Sequence, residues 1–381
     1  MQFKSSRMLF SCVASALILL QPASAFCWGP VGHEAVGFLA EDMVSPQTQT
    51  ALSQILGNVT LDQIANCADA LRDASTDCAG LFDPPLQQDD LTAPWHFVNI
   101  PLSAEVSQTP ATAAIDQYKD CDEAATGPTA TAMQDSVEDC VRGQVQFAVG
   151  VLRAPAPELP AGAAPQQAQA QAASVLRRRR MALMYLVHLE ADAHQPLHVT
   201  NDNDEGGNKE QVIFQGRRQS LHHLWDGAIG AQNAMNAKAL AELLKKDLSR
   251  LPQSEIDGWT QGGLDAVINA GIGEGFNIAK NTIYPNYFAA KAASPGARAV
   301  PLGDDYQSQM QPIAFKRLQQ AAVRLAFLLD QSLGQNPDFA APQEKTSAMA
   351  GAWRKHGRLN LKKPDLSGAT WDGRAPILPK N

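Results

Sequence analysis

The sequence predicts an all-α protein, built as one large helical domain with a small β-hairpin. Three observations favour this class. Apolar residues recur at helical spacing in most segments between residues 33 and 333, whereas strand signals are marginal. The chain has 381 residues, of which 45% are hydrophobic, so it can bury a large core. Histidine and aspartate motifs stand on both sides of a low-complexity stretch, which therefore interrupts a single domain.

The elements follow from periodicity and from proline. Ser45-Pro46 stops the first helix and starts the second, and Pro196 stops the helix that carries most of the histidines. WHFVNIPL at 95–102 is expected to be an extended connection, and KEQVIFQG at 209–216 a strand of the hairpin. The predicted helices span residues 33–44, 46–56, 61–72, 136–153, 181–195, 235–250, 254–280 and 306–333.

Two segments have compositions that do not favour a packed core. Residues 154–173 consist almost entirely of Ala, Pro, Gln and Gly, which predicts a surface loop inserted into the domain. Residues 341–381 form a basic, proline-punctuated tail, which is expected to be a flexible, solvated extension rather than a nucleic-acid arm.

The N-terminus has the layout of a secretory signal peptide at residues 1–27, with a charged start and an apolar run at 8–20. Cleavage after Ala25 and cleavage after Cys27 both fit the small-residue rule. A lipid-modified Cys27 is a third option, which the bulky Phe26 disfavours. No other segment could cross a membrane, so the expected location is secreted or periplasmic.

Export places the chain in oxidising conditions. The four later cysteines are therefore predicted to form disulfides rather than to bind metal. Of the possible connectivities, local pairing of Cys67 with Cys78 and of Cys121 with Cys140 is expected.

The net charge of −8 argues against broad electrostatic attraction to nucleic acid or to anionic membranes. It does not exclude nucleic acid as a substrate, because bound metal ions supply local positive charge without a basic surface.

Two histidine–aspartate pairs indicate a metal site. His188 and Asp192 stand four residues apart, as do His222 and Asp226, and His198 lies between the pairs. On a helix, residues i and i+4 share one face. Apolar neighbours imply burial, and buried carboxylates and imidazoles need partners, which metal ions or a structural polar network would supply. These ligand types suit zinc, which can lower the pKa of a bound water to about 7.

Three further residues carry weaker signals. His33 heads the first predicted helix, Asp69 interrupts an apolar helical stretch, and His96 lies between two aromatic residues. Each by itself is typical of an ordinary polar or core residue.

Six ordered motifs together resemble a known family. They are WGPVGH at 28–33, ADAL at 68–71, WHFVNIP at 95–101, YLVHLEADAHQPLHV at 185–199, GGNKEQVIF at 206–214 and LHHLWD at 221–226. This set is similar to the zinc-dependent single-strand-specific nucleases of the S1/P1 type, whose fold is shared with zinc-dependent phospholipase C. The similarity runs over residues 28–333, with IYPNY at 283–287 as a weaker late match.

The resemblance implies three zinc ions. The first would be held by Asp69, His96, His188 and Asp192, the second by His198, His222 and Asp226, and the third by His33, Asp192 and the main-chain amine and carbonyl of Trp28. Asp192 would bridge two metals. The role of Trp28 requires a free α-amino group, which selects cleavage after Cys27. His194, His223 and His356 fall outside the ligand pattern.

The resemblance also implies roles around the substrate. Asp69 and Asp192, with a zinc-bound water, would be catalytic. Phe97 and Asn208 would bind the nucleotide beside the scissile bond, although Phe97 also fits plain core packing. Asn99 occupies a position where the fungal pattern has aspartate, which leaves base preference open because an amide both donates and accepts.

The implied protein is an exported, monomeric zinc phosphodiesterase with its trinuclear domain at residues 28–340. It would hydrolyse single-stranded DNA and RNA to 5′-phosphate products and would also act on 3′-nucleotides. A zinc-dependent phospholipase C is the alternative, although that branch ends its last ligand motif in glutamate where this chain has Asp226. A non-enzymatic zinc-binding or nucleic-acid-binding protein is the second alternative.

Overall fold

Helices form most of the chain in the computed structural model, which describes residues 28–73, 75, 78, 80–81, 90–104, 140–229 and 235–339. One small sheet lies among them. The prediction of an all-α protein with a small hairpin is confirmed. The predicted signal peptide at 1–27 and the tail at 341–381 lie outside the described residues.

Twelve α-helices and three strands are described within these ranges. The helices are α1 Gly29–Glu41, α2 Pro46–Leu56, α3 Leu61–Ile64, α4 Cys67–Arg72, α5 Val141–Arg153, α6 Pro165–Asp192, α7 Leu221–Leu224, α8 Ala237–Leu248, α9 Gln253–Gly258, α10 Leu264–Ile278, α11 Tyr284–Ala292 and α12 Asp304–Ser332. The strands are β1 Gln211–Phe214, β2 Arg217–Ser220 and β3 Val300–Leu302. Short 3-10 turns span Asp90–His96, Pro196–His198 and Pro337–Phe339, and π-helical turns span Trp225–Ile229 and Ala279–Ile283.

The first two helices follow the predicted order. Helix α1 begins at Gly29, earlier than predicted, because Pro30 at its start has a backbone angle that suits the first helical turn. Helix α2 has the predicted bounds, and Ser45 caps it by accepting a hydrogen bond from the Thr48 backbone amide at 3.3 Å.

The single helix predicted at 61–72 is wrong, because the chain forms two short helices, α3 and α4. The break falls at Ala65 and Asn66, and Asn66 leaves the helical region with φ −97° and ψ 1°. The Ala65 carbonyl accepts a hydrogen bond from His188 Nδ1 at 2.7 Å. The local periodicity of the sequence did not indicate this break, because it depends on the contact between the Ala65 carbonyl and His188, which is distant in sequence.

Helix α6 is longer than predicted, since it begins at Pro165 rather than at residue 181 and ends at Asp192. The loop predicted at 154–173 is therefore wrong from residue 165 onward. Alanine and glutamine are strong helix formers, and proline fits the first helical position. The side chains of this stretch are largely exposed, so the surface placement is confirmed.

Other boundaries shift for identifiable reasons. The extended connection predicted at 95–102 begins only at residue 97, because Trp95 and His96 end a 3-10 turn. The helix predicted at 254–280 divides into α9 and α10 at Gly262 and Gly263, whose φ angles of 95° and 88° are incompatible with a right-handed helix. Helix α5 begins at Val141, and helices α8 and α12 lie within two residues of their predicted bounds.

The hairpin joins β1 and β2 in antiparallel register, with Gln211 opposite Ser220. Its two-residue turn has positive φ at both Gln215 and Gly216 (47° and 75°), as a right-twisted hairpin requires. Strand β3 adds in parallel on the other side of β1. The sequence did not predict β3, which is only three residues long.

The core surrounds the second half of α6, which packs against α1, α4, α5 and α12. Every residue from Ala182 to Asp192 is buried, including three that are polar or charged. The functional residues of this segment therefore lie in a dry environment, where electrostatic interactions are strong.

The cysteines follow the predicted local pairing as far as the structure describes them. Cys67 and Cys78 form a disulfide. Cys140 is also disulfide-bonded, and its expected partner Cys121 lies outside the described residues. No helix in the described part of the chain is both long and apolar enough to span a bilayer.

Candidate metal centre

The first group of candidate ligands surrounds His188 and Asp192, which α6 places one turn apart. Helix α4 adds Asp69, and the 3-10 turn before residue 97 adds His96. His96 Nδ1 lies 3.1 Å from His188 Nε2 and 3.0 Å from Asp192 Oδ2. His188 Nε2 lies 3.3 Å from Asp192 Oδ2 and 3.4 Å from Asp69 Oδ1, which is 3.6 Å from His96 Nδ1. Ligands about 2.1 Å from a tetrahedral zinc stand about 3.4 Å apart, so this spacing fits one ion.

The second group consists of His198, His222 and Asp226. His222 and Asp226 are one turn apart, where α7 passes into the π-helical turn. The two imidazole Nε2 atoms lie 3.1 Å apart, and the Asp226 carboxylate oxygens lie 3.6 Å from His222 Nε2 and 3.8 Å from His198 Nε2. Three protein ligands leave a tetrahedral metal with an open position, as catalytic zinc sites do.

The third predicted position involves His33, Asp192 and Trp28. His33 Nε2 lies 3.4 Å from Asp192 Oδ1, and its ring stacks on His188 with centroids 3.9 Å apart. Asp192 therefore turns one carboxylate oxygen to the first group and the other to His33. Trp28 is fully buried, and its indole Nε1 donates to the Ala191 carbonyl at 2.8 Å, which brings it beside Asp192.

Backbone carbonyls orient three of the imidazoles. In each ring Nδ1 donates to a carbonyl oxygen, which fixes the tautomer and leaves Nε2 as the electron-pair donor that faces the group. The acceptors are Ala65 O for His188 (2.7 Å), His96 O for His198 (2.8 Å) and Gly206 O for His222 (2.8 Å).

Several buried atoms lack the partners that burial requires. Within the described part of the chain, both ring nitrogens of His33, Asp192 Oδ1 and Asp226 Oδ2 have no hydrogen-bond partner. A buried polar atom without a partner is costly, and cations bound at these positions would pair with His33 Nε2, Asp192 Oδ1 and Asp226 Oδ2. The residues present therefore fit a metal centre. Three sets of them lie close enough to share an ion: His96, His188 and Asp192; His198, His222 and Asp226; and His33, Asp69 and His188.

The protonation equilibria show that the first group attracts positive charge. Burial opposes protonation of His188, but the carboxylates of Asp192 and Asp69 outweigh it and raise the pKa of His188 to about 10. Burial disfavours the charged carboxylates, yet His188 holds the pKa of both Asp69 and Asp192 below the usual range. In the absence of a metal ion, a proton on His188 supplies the positive charge that the carboxylates of Asp69 and Asp192 attract.

The imidazoles of His33, His198 and His222 remain neutral, as metal ligands must be. Burial and the neighbouring His188 lower the pKa of His33 to about 4. Burial and the neighbouring His198 lower the pKa of His222 to about 3, and burial lowers that of His198. Burial also raises the pKa of Asp226 well above its usual range, so this carboxylate requires a positive partner to ionise.

A cavity of about 410 Å³ opens onto these groups. Its walls include His96, His198 and His222 together with the three residues predicted to bind substrate, Phe97, Asn99 and Asn208. The Phe97 side chain is 38% exposed, which argues against plain core packing. The structure therefore brings three of the predicted metal ligands and the three predicted substrate-binding residues to one cavity.

Two residues of the centre were missed by sequence reasoning. Arg72 lines the cavity, and its Nη1 lies 3.0 Å from Asp69 Oδ1. Gln195 is fully buried and donates from Nε2 to Asp226 Oδ1 at 2.7 Å. The only signal for Arg72 is its spacing of three residues from Asp69 on a helix, and an arginine at a helix end is usually a surface residue.

The remaining histidines lie apart from these groups. His194 is buried, and its Nε2 lies 2.9 Å from Arg324 Nη1 on α12 while its Nδ1 contacts the Glu190 carbonyl. His223 is half-buried and belongs to none of the three groups. His356 lies outside the described residues.

Comparison with known proteins adds an independent result. The family model described as S1/P1 Nuclease matches residues 28–334. The chain is 27% identical over 341 residues to Endonuclease 4 of Arabidopsis thaliana, which covers 86% of this chain and 96% of that protein. It is 26% identical over 325 residues to Nuclease S1 of Aspergillus oryzae, covering 83% and 95%. Nuclease P1 of Penicillium citrinum is 25% identical over 246 residues, covering 62% and 72%.

Proposed function

Because the chain belongs to the S1/P1 nuclease family, we propose that it is an exported, zinc-dependent phosphodiesterase that cleaves single-stranded DNA and RNA to 5′-phosphate products. We extend the proposal to 3′-nucleotides as further substrates. The observation that carries it is the cavity in which ligands of the first and second groups, His96, His198 and His222, lie beside an exposed aromatic ring and the side-chain amides of Asn99 and Asn208.

The proposed ligand sets follow the first group, the second group and the third predicted position described above. Asp69, His96, His188 and Asp192 would hold the first zinc, His198, His222 and Asp226 the second, and Trp28, His33 and Asp192 the third. When bound, the ions would supply Lewis-acid activation of water and neutralise charge on the phosphate. The unpartnered Oδ1 of Asp192 and Oδ2 of Asp226 support this assignment among the residues described.

The chain's own residues would position the phosphodiester. Asp69 keeps an ionised, buried carboxylate behind the cavity wall, and Arg72, which lines the cavity, presents a guanidinium that can pair with a phosphate oxygen. The Asp69 carboxylate also orients that guanidinium, because the two groups are 3.0 Å apart.

Preference for single strands would come from the cavity wall. Phe97 exposes an aromatic face on which a base can stack, and such stacking tolerates any base. A paired base would first have to leave its duplex stack, whereas a single-stranded base is already free to turn out. Asn99 and Asn208 offer amide groups beside that ring for hydrogen bonds to base edges.

The export part of the proposal concerns Trp28. Its φ of 24° is uncommon for a residue other than glycine. Cleavage after Cys27 removes the peptide bond that defines this angle and creates the free amine proposed as a ligand. The protein would then act as a monomer whose single domain spans residues 28–340, with 341–381 as an extension.

The deciding experiment combines three measurements on the exported protein: its N-terminal sequence, its metal content and its cleavage of single-stranded DNA and RNA. We expect a start at Trp28, about three zinc ions per chain and cleavage of both polymers. A folded, zinc-loaded protein that cuts neither polymer would refute the proposed activity. Hydrolysis of phosphatidylcholine in place of nucleic acid would favour the phospholipase C alternative.

A further inference from the structure

The loop at residues 201–208, here called the GGN loop, has an energetically unfavourable backbone conformation. It joins the turn Pro196–His198 to β1. Half of its residues have positive φ: Asn203 (59°), Glu205 (57°), Gly206 (59°) and Gly207 (84°). Positive φ is unfavourable for residues with a Cβ, so hydrogen bonds must hold this shape. Inside the loop, the Asn201 side-chain oxygen accepts from the Asp204 and Glu205 backbone amides, both at 3.1 Å. Outside the loop, the Tyr284 hydroxyl donates to Asp204.

The position of the GGN loop determines the orientation of His222. The Gly206 carbonyl accepts the hydrogen bond from His222 Nδ1 at 2.8 Å, and the Gly207 carbonyl accepts from the His222 backbone amide at 3.4 Å. A Cβ on Gly206 would lie 2.3 Å from the Leu197 carbonyl oxygen, so the loop lies directly against the preceding turn. Asn208 at the end of the loop lines the cavity.

Asp204 anchors this loop inside the protein. Its carboxylate is buried and accepts hydrogen bonds from the Tyr284 hydroxyl, at 3.0 Å to Oδ1 and 2.8 Å to Oδ2. The Asp202 backbone amide donates to the same carboxylate at 3.1 Å. Lys209 and Lys291 pair with other carboxylates, those of Glu205 and Glu210. Among the described ion pairs none reaches Asp204, so the tyrosine hydroxyl is the side-chain donor that stabilises it.

A π-helical turn precedes Tyr284, the residue that contacts Asp204. The π-helical turn Ala279–Ile283 inserts a wider turn between α10 and α11, and Tyr284 is the first residue of α11. The Tyr284 side chain is fully buried. One turn later the Tyr287 hydroxyl donates to Glu210, which follows the GGN loop. Turns of this kind occur frequently at functional sites.

We propose that Tyr284 is a positioning residue of the metal centre, which holds Asp204 and thereby the Gly206 carbonyl that orients His222. The inference rests on the proposed function, because it assigns Tyr284 to the second zinc site. Tyr284 touches neither metal ligand nor cavity; its effect passes through the GGN loop. The weak IYPNY match thus corresponds to a contact between α11 and the loop.

The test is Tyr284→Phe in the full mature chain. Zinc per chain is measured after dialysis against graded chelator, and kcat and KM are measured on a single-stranded oligonucleotide. Partners that orient metal ligands typically contribute 10–100-fold to metal affinity or activity, so we expect one zinc to be released at about 10–100-fold lower chelator strength. The kcat should fall by a similar factor with little change in KM.

Two further variants separate positioning from general stability. Tyr287→Phe removes a hydroxyl from the same helix, but its partner Glu210 keeps Lys291, so zinc retention should match the unmodified protein. Asp204→Ala removes the carboxylate that Tyr284 holds and leaves no buried charge behind. It therefore tests the same connection between Tyr284 and His222 if Tyr284→Phe does not fold. We expect it to release the same zinc at lower chelator strength than the unmodified protein. Unchanged zinc retention and kcat in Tyr284→Phe or Asp204→Ala would overturn the inference, as would equal zinc loss in Tyr287→Phe. If the unmodified protein binds no zinc or cleaves nothing, the proposed function fails instead.

Discussion

Replacement of Gly206 by alanine tests how closely one carbonyl controls His222. The new Cβ would lie 2.3 Å from Leu197 O, whereas a carbon–oxygen contact needs about 3.3 Å. The GGN loop must therefore shift by about 1 Å relative to Leu197. If the Gly206 carbonyl recedes from the imidazole by that amount, its 2.8 Å hydrogen bond to His222 Nδ1 lengthens to about 3.8 Å and is lost.

We expect Gly206→Ala to weaken the binding of one zinc by about 10–100-fold. The positive φ adds a conformational cost of about 1–2 kcal/mol to the free energy of unfolding. Chelator competition measures the first effect, and urea unfolding measures the second. Gly216→Ala is the matched control, because Gly216 has a φ of 75° and no atom lies within 4 Å of the point that an alanine Cβ would occupy there. Equal zinc affinity in the two variants would refute the reasoning.

Three other outcomes follow from the cavity. Arg72→Ala should lower kcat by about 100-fold, because it removes a charged donor beside the phosphate. Arg72→Lys should keep part of the rate. An unchanged kcat in the alanine variant would contradict this prediction. Phe97→Ala should raise KM for a single-stranded oligonucleotide by about 5- to 150-fold, since stacking contributes about 1–3 kcal/mol per base, and an unaltered KM would count against the base-stacking role. Each zinc at 1,000 times its Kd should add about 4.1 kcal/mol to the free energy of unfolding, so a chelator that left the melting temperature unchanged would exclude a metal-stabilised fold.

Local spacing was enough to predict part of the centre. His188 and Asp192, and likewise His222 and Asp226, lie one helical turn apart as the i and i+4 pattern requires. The resemblance to a family supplied Asp69 and His96, which the structure brings to the same group. These two could not be assigned from spacing, because they come from other elements of the chain.

The features that sequence reasoning missed depend on contacts between distant segments. The break at Ala65 matters only because His188, far along the chain, donates to its carbonyl. Tyr284 and Asp204 are separated by 80 residues, and neither pattern nor composition links them. The error at the start of α6 has a different cause. Low sequence complexity suggested a loop, although the alanine and glutamine residues there favour a helix.

The disulfide between Cys67 and Cys78 has a bearing on where this chemistry can operate. Cys67 begins α4 two residues before Asp69, so the crosslink tethers the helix that supplies Asp69 to the first group. Reducing compartments keep thiols unpaired, whereas oxidising ones close such bonds. We therefore expect the geometry of the first group to depend on the redox state of the protein's surroundings.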